Sequence, residues 1–346
     1  MNGGDPAMPR RRIEWMDGVR CLAMFWILFV HFIAVFTTNT NVRFPGTLGL
    51  LLFGISGKLM VAMFCVLSGY FASKPPQHSI LSYALRRWLF FAVQILIIEL
   101  VYYAASLLLP QGSYLSRQCL ILSEPPSVVL PAILGDAFLL KAQVLQTYWC
   151  VDDFIFGGIV VMIGQKLVHD RPLLVRIAVC MLLFAASLAL DRLWIGICML
   201  GWLLRLLLEV RIPFKPVVLP ALVLLLPWLI RRGECEPTYL MDGIACVIAL
   251  LVAGNWPWLQ RMLSVQPLPF WGARTFEMFL LHIPVYQVFE SLLQVCGLHR
   301  PPTAGYVLLF VLALSLVLLA TYGWRKMSER FFLPVLNRLC NKCTWF

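Results

Sequence analysis

Charge is scarce in this chain. Of its 346 residues only 13% are Asp, Glu, Lys or Arg, and the acidic residues number 17. A water-soluble globular domain carries about 25% charged residues, so a solvated surface cannot be built from this composition. That deficit excludes soluble enzymes and disordered chains, which both need a polar coat. Metal-ligand spacing is missing too, and no metal site is expected. The eleven cysteines make no disulfide framework, because their number is odd and their spacing irregular. Most lie inside apolar runs, where a thiol acts as a small hydrophobe. The one C-x-x-C, Cys340 and Cys343, has no further ligands nearby. Internal repeats, low-complexity tracts and loops long enough for a separate soluble domain are also absent. Residues 1–346 therefore read as a single domain.

What the chain has is apolar length. Hydrophobic residues make up 61% of it, and mean hydropathy is +0.83. A helix needs about 20 apolar residues to cross a bilayer. On that measure ten spans are predicted, at 18–38, 48–70, 88–109, 147–167, 173–190, 193–210, 216–230, 238–254, 270–290 and 303–323. The basic cluster Arg10–Arg12 before the first span resembles a signal peptide, but the run is too long and no small-residue cleavage site follows. The stretch 127–141 holds Pro131, Gly135 and Asp136 and is too short to cross, so a re-entrant or interfacial helix is expected there. The fold class is an all-α polytopic membrane protein.

Orientation follows from the basic residues. The net charge of +11 is what cytoplasmic loops of a membrane protein supply, and it does not imply nucleic acid. With the N-terminus inside, seventeen Lys and Arg fall on inner segments and seven on outer ones. Both termini, 1–17 and 324–346, are therefore expected in the cytoplasm of a multi-pass protein of the cell membrane.

Ionisable groups inside a bilayer cost about 2.5–3.5 kcal/mol each on insertion scales, so they are functional candidates. Counted at about 1.5 Å per residue, His31 lies about 20 Å from the inner face, and Glu99 and His282 about 18 Å. Asp152 and Asp153 enter from outside to about 8–9 Å, and Lys58 lies near mid-membrane. Five spans thus contribute to one polar layer. An ion network that merely holds the bundle explains Lys58 and Glu99 as well as a site does. The histidines with Asp153 suit a general base and its orienting carboxylate. Arg20 and His31 are eleven residues apart, so both project from one helical face with Arg20 at the inner edge. That stripe fits a ligand with an anionic head in the cytoplasm and a reactive end in the membrane, such as acetyl-CoA.

Several stretches carry a resemblance. Asp17-Gly18-Val19-Arg20 through Val30-His31 is similar to the "D-G-x-R … H" opening, with its R-x10-H signature, of the acyltransferase-3 family of integral membrane acyltransferases. Phe64-Cys65-Val66-Leu67-Ser68-Gly69-Tyr70-Phe71 resembles that family's "F-F-x-L-S-G-F/Y-L", and Tyr83-Ala84-Leu85-Arg86-Arg87 its basic stretch. Trp149-Cys150-Val151-Asp152-Asp153-Phe154 is similar to "W-F-L-R-D-L", which puts Asp153 on the acidic position. Gly272 through Val285 resembles "G-x-x-S-Y-x-x-Y-L-x-H-x-P-V", and Glu329-Arg330 the closing motif without its proline.

The resemblance implies transfer of an acyl group, usually acetyl, from cytoplasmic acyl-CoA to a hydroxyl of a carbohydrate or lipid-linked glycan. His31 is then the base or acyl carrier, with Asp153 or His282 orienting it. Arg20, Arg86, Arg87 and Arg274 are placed to hold donor phosphates. Lys58, Glu99 and Trp149 are candidates for the acceptor, although an interfacial tryptophan has a plainer explanation in the aromatic belt. The rival reading is a secondary transporter using the polar layer as a proton relay, against which stands the missing internal repeat. Neither reading fixes the oligomeric state.

Overall fold

The structure is a computed structural model, and it describes residues 13–37, 57–73, 80–110, 113, 115, 119–209, 236–298, 303–335 and 338. Among the described residues there are helices and no strands. In chain order they are α1 (Glu14–Thr37), α2 (Gly57–Ala72), α3 (Ile80–Leu108), α4 (Pro126–Leu139), α5 (Val151–Val168), α6 (Leu173–Ala189), α7 (Leu193–Glu209), α8 (Glu236–Asn255), α9 (Pro257–Leu263), α10 (Leu268–Gly272), α11 (Thr275–Val295) and α12 (Thr303–Met327). An all-helical answer is what lipid demands, since a helix satisfies its own backbone polar groups.

Four helical stretches are long and apolar enough to cross a membrane: Glu14–Phe36, Ile80–Leu108, Thr275–Val295 and Gly305–Val335. A fifth arises if Tyr239–Asn255 and Pro257–Leu263, bent by 102°, are one span. Lys58–Ala72, Pro126–Leu139 and Leu173–Ala189 are apolar but shorter. The expected span at 216–230 and the first part of that at 48–70 lie outside the described residues. The expected short helix at 127–141 forms as α4, starting on Pro126 where a missing N–H costs nothing.

Two packed cores make up the bundle. One joins α1, α3, α4, α11 and α12. The other joins α2, α6, α7 and α8, and α5 contributes to both. Phe154 and Trp194 touch both and mark the seam. Glycines permit the closest crossings. A Cβ on Gly69 would stand 1.8 Å from the Cys198 carbonyl oxygen, and one on Gly272 would stand 1.8 Å from that of Asp17. Gly69 thereby seats α2 on α7, and Gly272 seats α10 on α1. The motif glycines are thus packing residues, and they bring Arg20, Ser68 and Thr275 to one seam.

Candidate functional site

Between the two cores a cavity of about 320 Å³ opens. Arg20, Phe71, Tyr83 and Ala273 line one part of it, while Ile27 and Phe279 line another. Ile27 stands one turn before His31 on α1, and Phe279 one turn before His282 on α11. The cavity therefore runs from the level of Arg20 to the turn beneath the histidines. Of the expected stripe, Arg20 and Ile27 line the cavity, and His31 stands one turn beyond its lining.

His31 and His282 meet directly, Nδ1 to Nε2, at 2.7 Å. The other nitrogen of His282, Nδ1, is 2.7 Å from the Phe279 carbonyl oxygen. A carbonyl only accepts, so His282 Nδ1 carries the proton. With one proton per ring, His282 Nε2 is then an acceptor and takes the Nδ1–H of His31. The consequence is that Nε2 of His31 is bare. One backbone carbonyl sets both tautomers, in the manner of a second-layer partner fixing a catalytic imidazole.

Two tyrosines hold this pair in place. Pro284 sits inside α11 and has no N–H to give the Leu280 carbonyl one turn earlier. The hydroxyl of Tyr148 donates to that carbonyl at 2.7 Å. Tyr286, one turn beyond His282, donates to the Leu28 carbonyl on α1 at 3.2 Å. One backbone carbonyl within three residues of each histidine is thereby held from another element. Tyr148 and Tyr286 escape the sequence reading. Pro284 was the available signal, because a proline two residues after His282 leaves an orphan carbonyl that some donor must meet.

The basic residues divide. Arg20 faces the cavity, 3.3 Å from Asp17 and with its guanidinium 4.4 Å over the Phe71 ring. Arg87 also faces it and is tied down, donating to Ser68 Oγ at 2.8 Å and to the Phe154 carbonyl at 2.7 Å. Gly158 makes room for that guanidinium, since a Cβ there would lie 3.0 Å from it. Arg86 is exposed on α3, and Arg274 folds back on the Phe270 ring and carbonyl. Neither lines the cavity. Glu277 stands behind this wall, almost wholly buried, and is bridged to Arg325 of α12 at 2.7 Å.

The carboxylates do not gather at the histidines. Asp153 is buried in the first turn of α5, near Cys65 and Cys150. It makes no hydrogen bond or ion pair with His31 or His282, so the orienting partner of His31 is His282. Acidic residues at a helix N-terminus are favoured by its dipole in any case. Asp152 lies 3.7 Å from Arg192. Glu99, fully buried, faces Asp136 of α4 and the backbone at Leu145. Asp136 spends both oxygens on the backbone N–H groups of Gln143 and Val144, at 2.7 and 2.6 Å. It latches the loop after α4 and does not face an approaching acceptor. Lys58 and Trp149 lie apart from the cavity lining, at the start of α2 and before α5.

The family model of an acyltransferase domain, acyltransferase-3, matches residues 13–322. The chain belongs to the acyltransferase-3 family. No curated protein and no solved structure matches it. Membership makes the protein a membrane acyltransferase in general terms. Among the described residues no group of His, Cys, Asp and Glu is arranged to hold a metal ion.

Proposed function

We propose that this acyltransferase moves an acyl group, acetyl by preference, from cytoplasmic acyl-CoA to a hydroxyl of a carbohydrate or lipid-linked glycan. The observation that carries the reading is the bare Nε2 of His31, set by the relay through His282 to the Phe279 carbonyl and standing just above a cavity that begins at Arg20. Acetyl-CoA suits that cavity. Arg20 offers charge-assisted contacts to phosphate, the aromatic walls take the pantetheine arm, and the thioester comes up beneath His31. Arg86 and Arg274 contribute positive charge near the mouth.

His31 Nε2 then accepts the proton of the attacking hydroxyl as its oxygen bonds to the thioester carbon. The C–S bond breaks, and the same proton passes to the departing sulfur, so coenzyme A leaves as the thiol. Acyl transfer to His31 Nε2 in a first step, followed by the hydroxyl, uses the same geometry. Lys58, Glu99 and Trp149 belong to the acceptor side. The chain is placed in the cell membrane with ten crossings and both termini cytoplasmic, on the basic asymmetry of its loops. Reporter fusions after residues 45, 78, 115 and 170 should read out, in, out and in.

The test is coenzyme-A release. Purified protein mixed with acetyl-CoA is expected to cleave the thioester slowly without acceptor, and His31→Ala to abolish that release. A transporter would release none. The transporter reading also needs its carboxylates connected to its histidines, and Glu99 and Asp153 are not.

A further inference from the structure

At the end of the bundle remote from Arg20, the starts of α2, α7 and α8 and the turn before α5 bring together side chains that the cavity does not use. Trp149 packs edge-on against Trp194 with centroids 5.2 Å apart, and Trp194 stacks on Tyr239 at 5.7 Å. The Lys58 ammonium lies 4.4 Å over the Tyr239 ring and donates to its hydroxyl. Beside them Asp152 meets the exposed Arg192, and the second carboxylate oxygen of Asp152 is buried with no hydrogen-bond partner.

This array is at the level of the histidines. Phe71, at the end of α2, touches Arg20, and Lys58 is thirteen residues from Phe71, about 20 Å along the helix. His31 is about 16 Å from Arg20 along α1. Lys58 therefore stands within about one helical turn of the depth of His31, on the side away from Arg20. An aromatic belt against lipid needs no cation and no carboxylate. Here Lys58 has no carboxylate partner among the described residues, and a cation in a spanning segment without a counter-charge is costly. Trp149 keeps 40% of its surface exposed.

We infer that Lys58, Trp149, Asp152, Arg192, Trp194 and Tyr239 form a binding site for an acidic saccharide. The C–H face of a pyranose carries partial positive charge and lies against the negative face of an indole. The anionic substituent of the sugar pairs with Lys58, which has no carboxylate partner among the described residues. The site gives the acceptor of the proposed transfer a chemical class. It rests on that reading for its use in catalysis, though not for its ligand.

Binding is measured by calorimetry on the full chain in lipid nanodiscs, with trigalacturonate as the acidic probe and maltotriose as the neutral one. The acidic probe is expected to bind about tenfold more tightly, the worth of one charge-assisted contact. Lys58→Met should erase that preference, and Trp149→Leu should weaken both probes about tenfold. Lys58→Arg and Trp149→Tyr should largely restore binding, which separates a contact from a folding defect. Equal affinity for the two probes, no binding of either, or no effect of Lys58→Met and Trp149→Leu would overturn the site. Acetyl-CoA titrated into the same samples reads the donor separately. Failure of the donor to bind would sink the acyl-transfer reading and leave the saccharide result standing.

Discussion

The hydroxyl of Tyr148 occupies the place that Pro284 leaves vacant, donating at 2.7 Å to the Leu280 carbonyl that a proline cannot serve. The bond lies two residues from His282, so it fixes the backbone that carries one half of the histidine pair. Removing it orphans a buried carbonyl, at a cost of about 1–3 kcal/mol. Tyr148→Phe should lower the midpoint of thermal unfolding accordingly and reduce turnover with little change in donor affinity. Pro284→Ala restores an N–H to Leu280. In that background Tyr148→Phe should cost much less, and a double-mutant cycle shows the coupling. Strictly additive effects would mean that the two residues act independently.

Arg20 and His31 should separate binding from chemistry. Arg20→Ala removes a charge-assisted phosphate contact and is expected to weaken acetyl-CoA binding by about 1.5–3 kcal/mol. His31→Ala should leave that affinity nearly intact and stop transfer. Equal acetyl-CoA affinities for wild type and Arg20→Ala would remove Arg20 from the donor site.

The bridge between Glu277 and Arg325 should break asymmetrically. Glu277 is buried, whereas about a third of Arg325 reaches solvent, with side-chain exposures of 3% and 32%. Arg325 also holds Glu329 at 2.7 Å. Arg325→Met strands a buried carboxylate, while Glu277→Gln leaves a guanidinium that can turn to Glu329 and water. Stability loss should therefore be larger for Arg325→Met, on the order of 2 kcal/mol or more, and smaller for Glu277→Gln. Thermal unfolding of both variants checks the order.

Much of this site was legible in the sequence, and the reasons differ residue by residue. Arg20 and His31 share a stripe because eleven residues close three turns of one helix, which is a local rule. Their distance to His282 is not local. The hydrogen bond between the histidines depends on how α1 and α11 cross, and only the packed structure supplies it. Asp153 shows the opposite case: its depth matched that of the histidines, but depth says nothing of azimuth, and it points toward Cys65 and Cys150. Arg86 and Arg87 are adjacent, yet one is exposed and the other lines the cavity, since neighbours on a helix are about 100° apart.

Cysteine accessibility gives a reading of sidedness. Among the described cysteines Cys296, just after α11, is exposed and the others are buried. In a background with Cys235, Cys340 and Cys343 changed to serine, a membrane-impermeant maleimide should label Cys296 from outside intact cells. Cys119, in the segment between the expected third and fourth spans, should stay unlabelled at neutral pH. Burial pushes its thiol up to about 12, and the thiolate is the reactive form. Labelling of Cys296 only after the membrane is opened would invert the topology.

The acceptor hydroxyl should reach His31 from the outer side. Counting from residue 18, His31 stands about 20 Å from the inner face and about 10 Å from the outer one. In the proposed arrangement acetyl-CoA takes the cavity that begins at Arg20, which leaves the other side for the sugar. The donor's long arm covers the greater distance, whereas a bulky glycan is better served by the shorter one. With both termini cytoplasmic, as proposed, the array of Trp149, Trp194 and Lys58 would lie on that outer side, near the depth of His31. Separate approaches also keep bulk water from the thioester until an acceptor fills the opening, which limits wasteful hydrolysis. Proteoliposomes of known orientation, with acetyl-CoA supplied at the cytoplasmic face, test this directly. An impermeant glycan should be acetylated when present at the opposite face and not when present with the donor. Acetylation confined to the donor's face would mean that both substrates share the Arg20 cavity, and His31 would then have to be reached past the pantetheine arm.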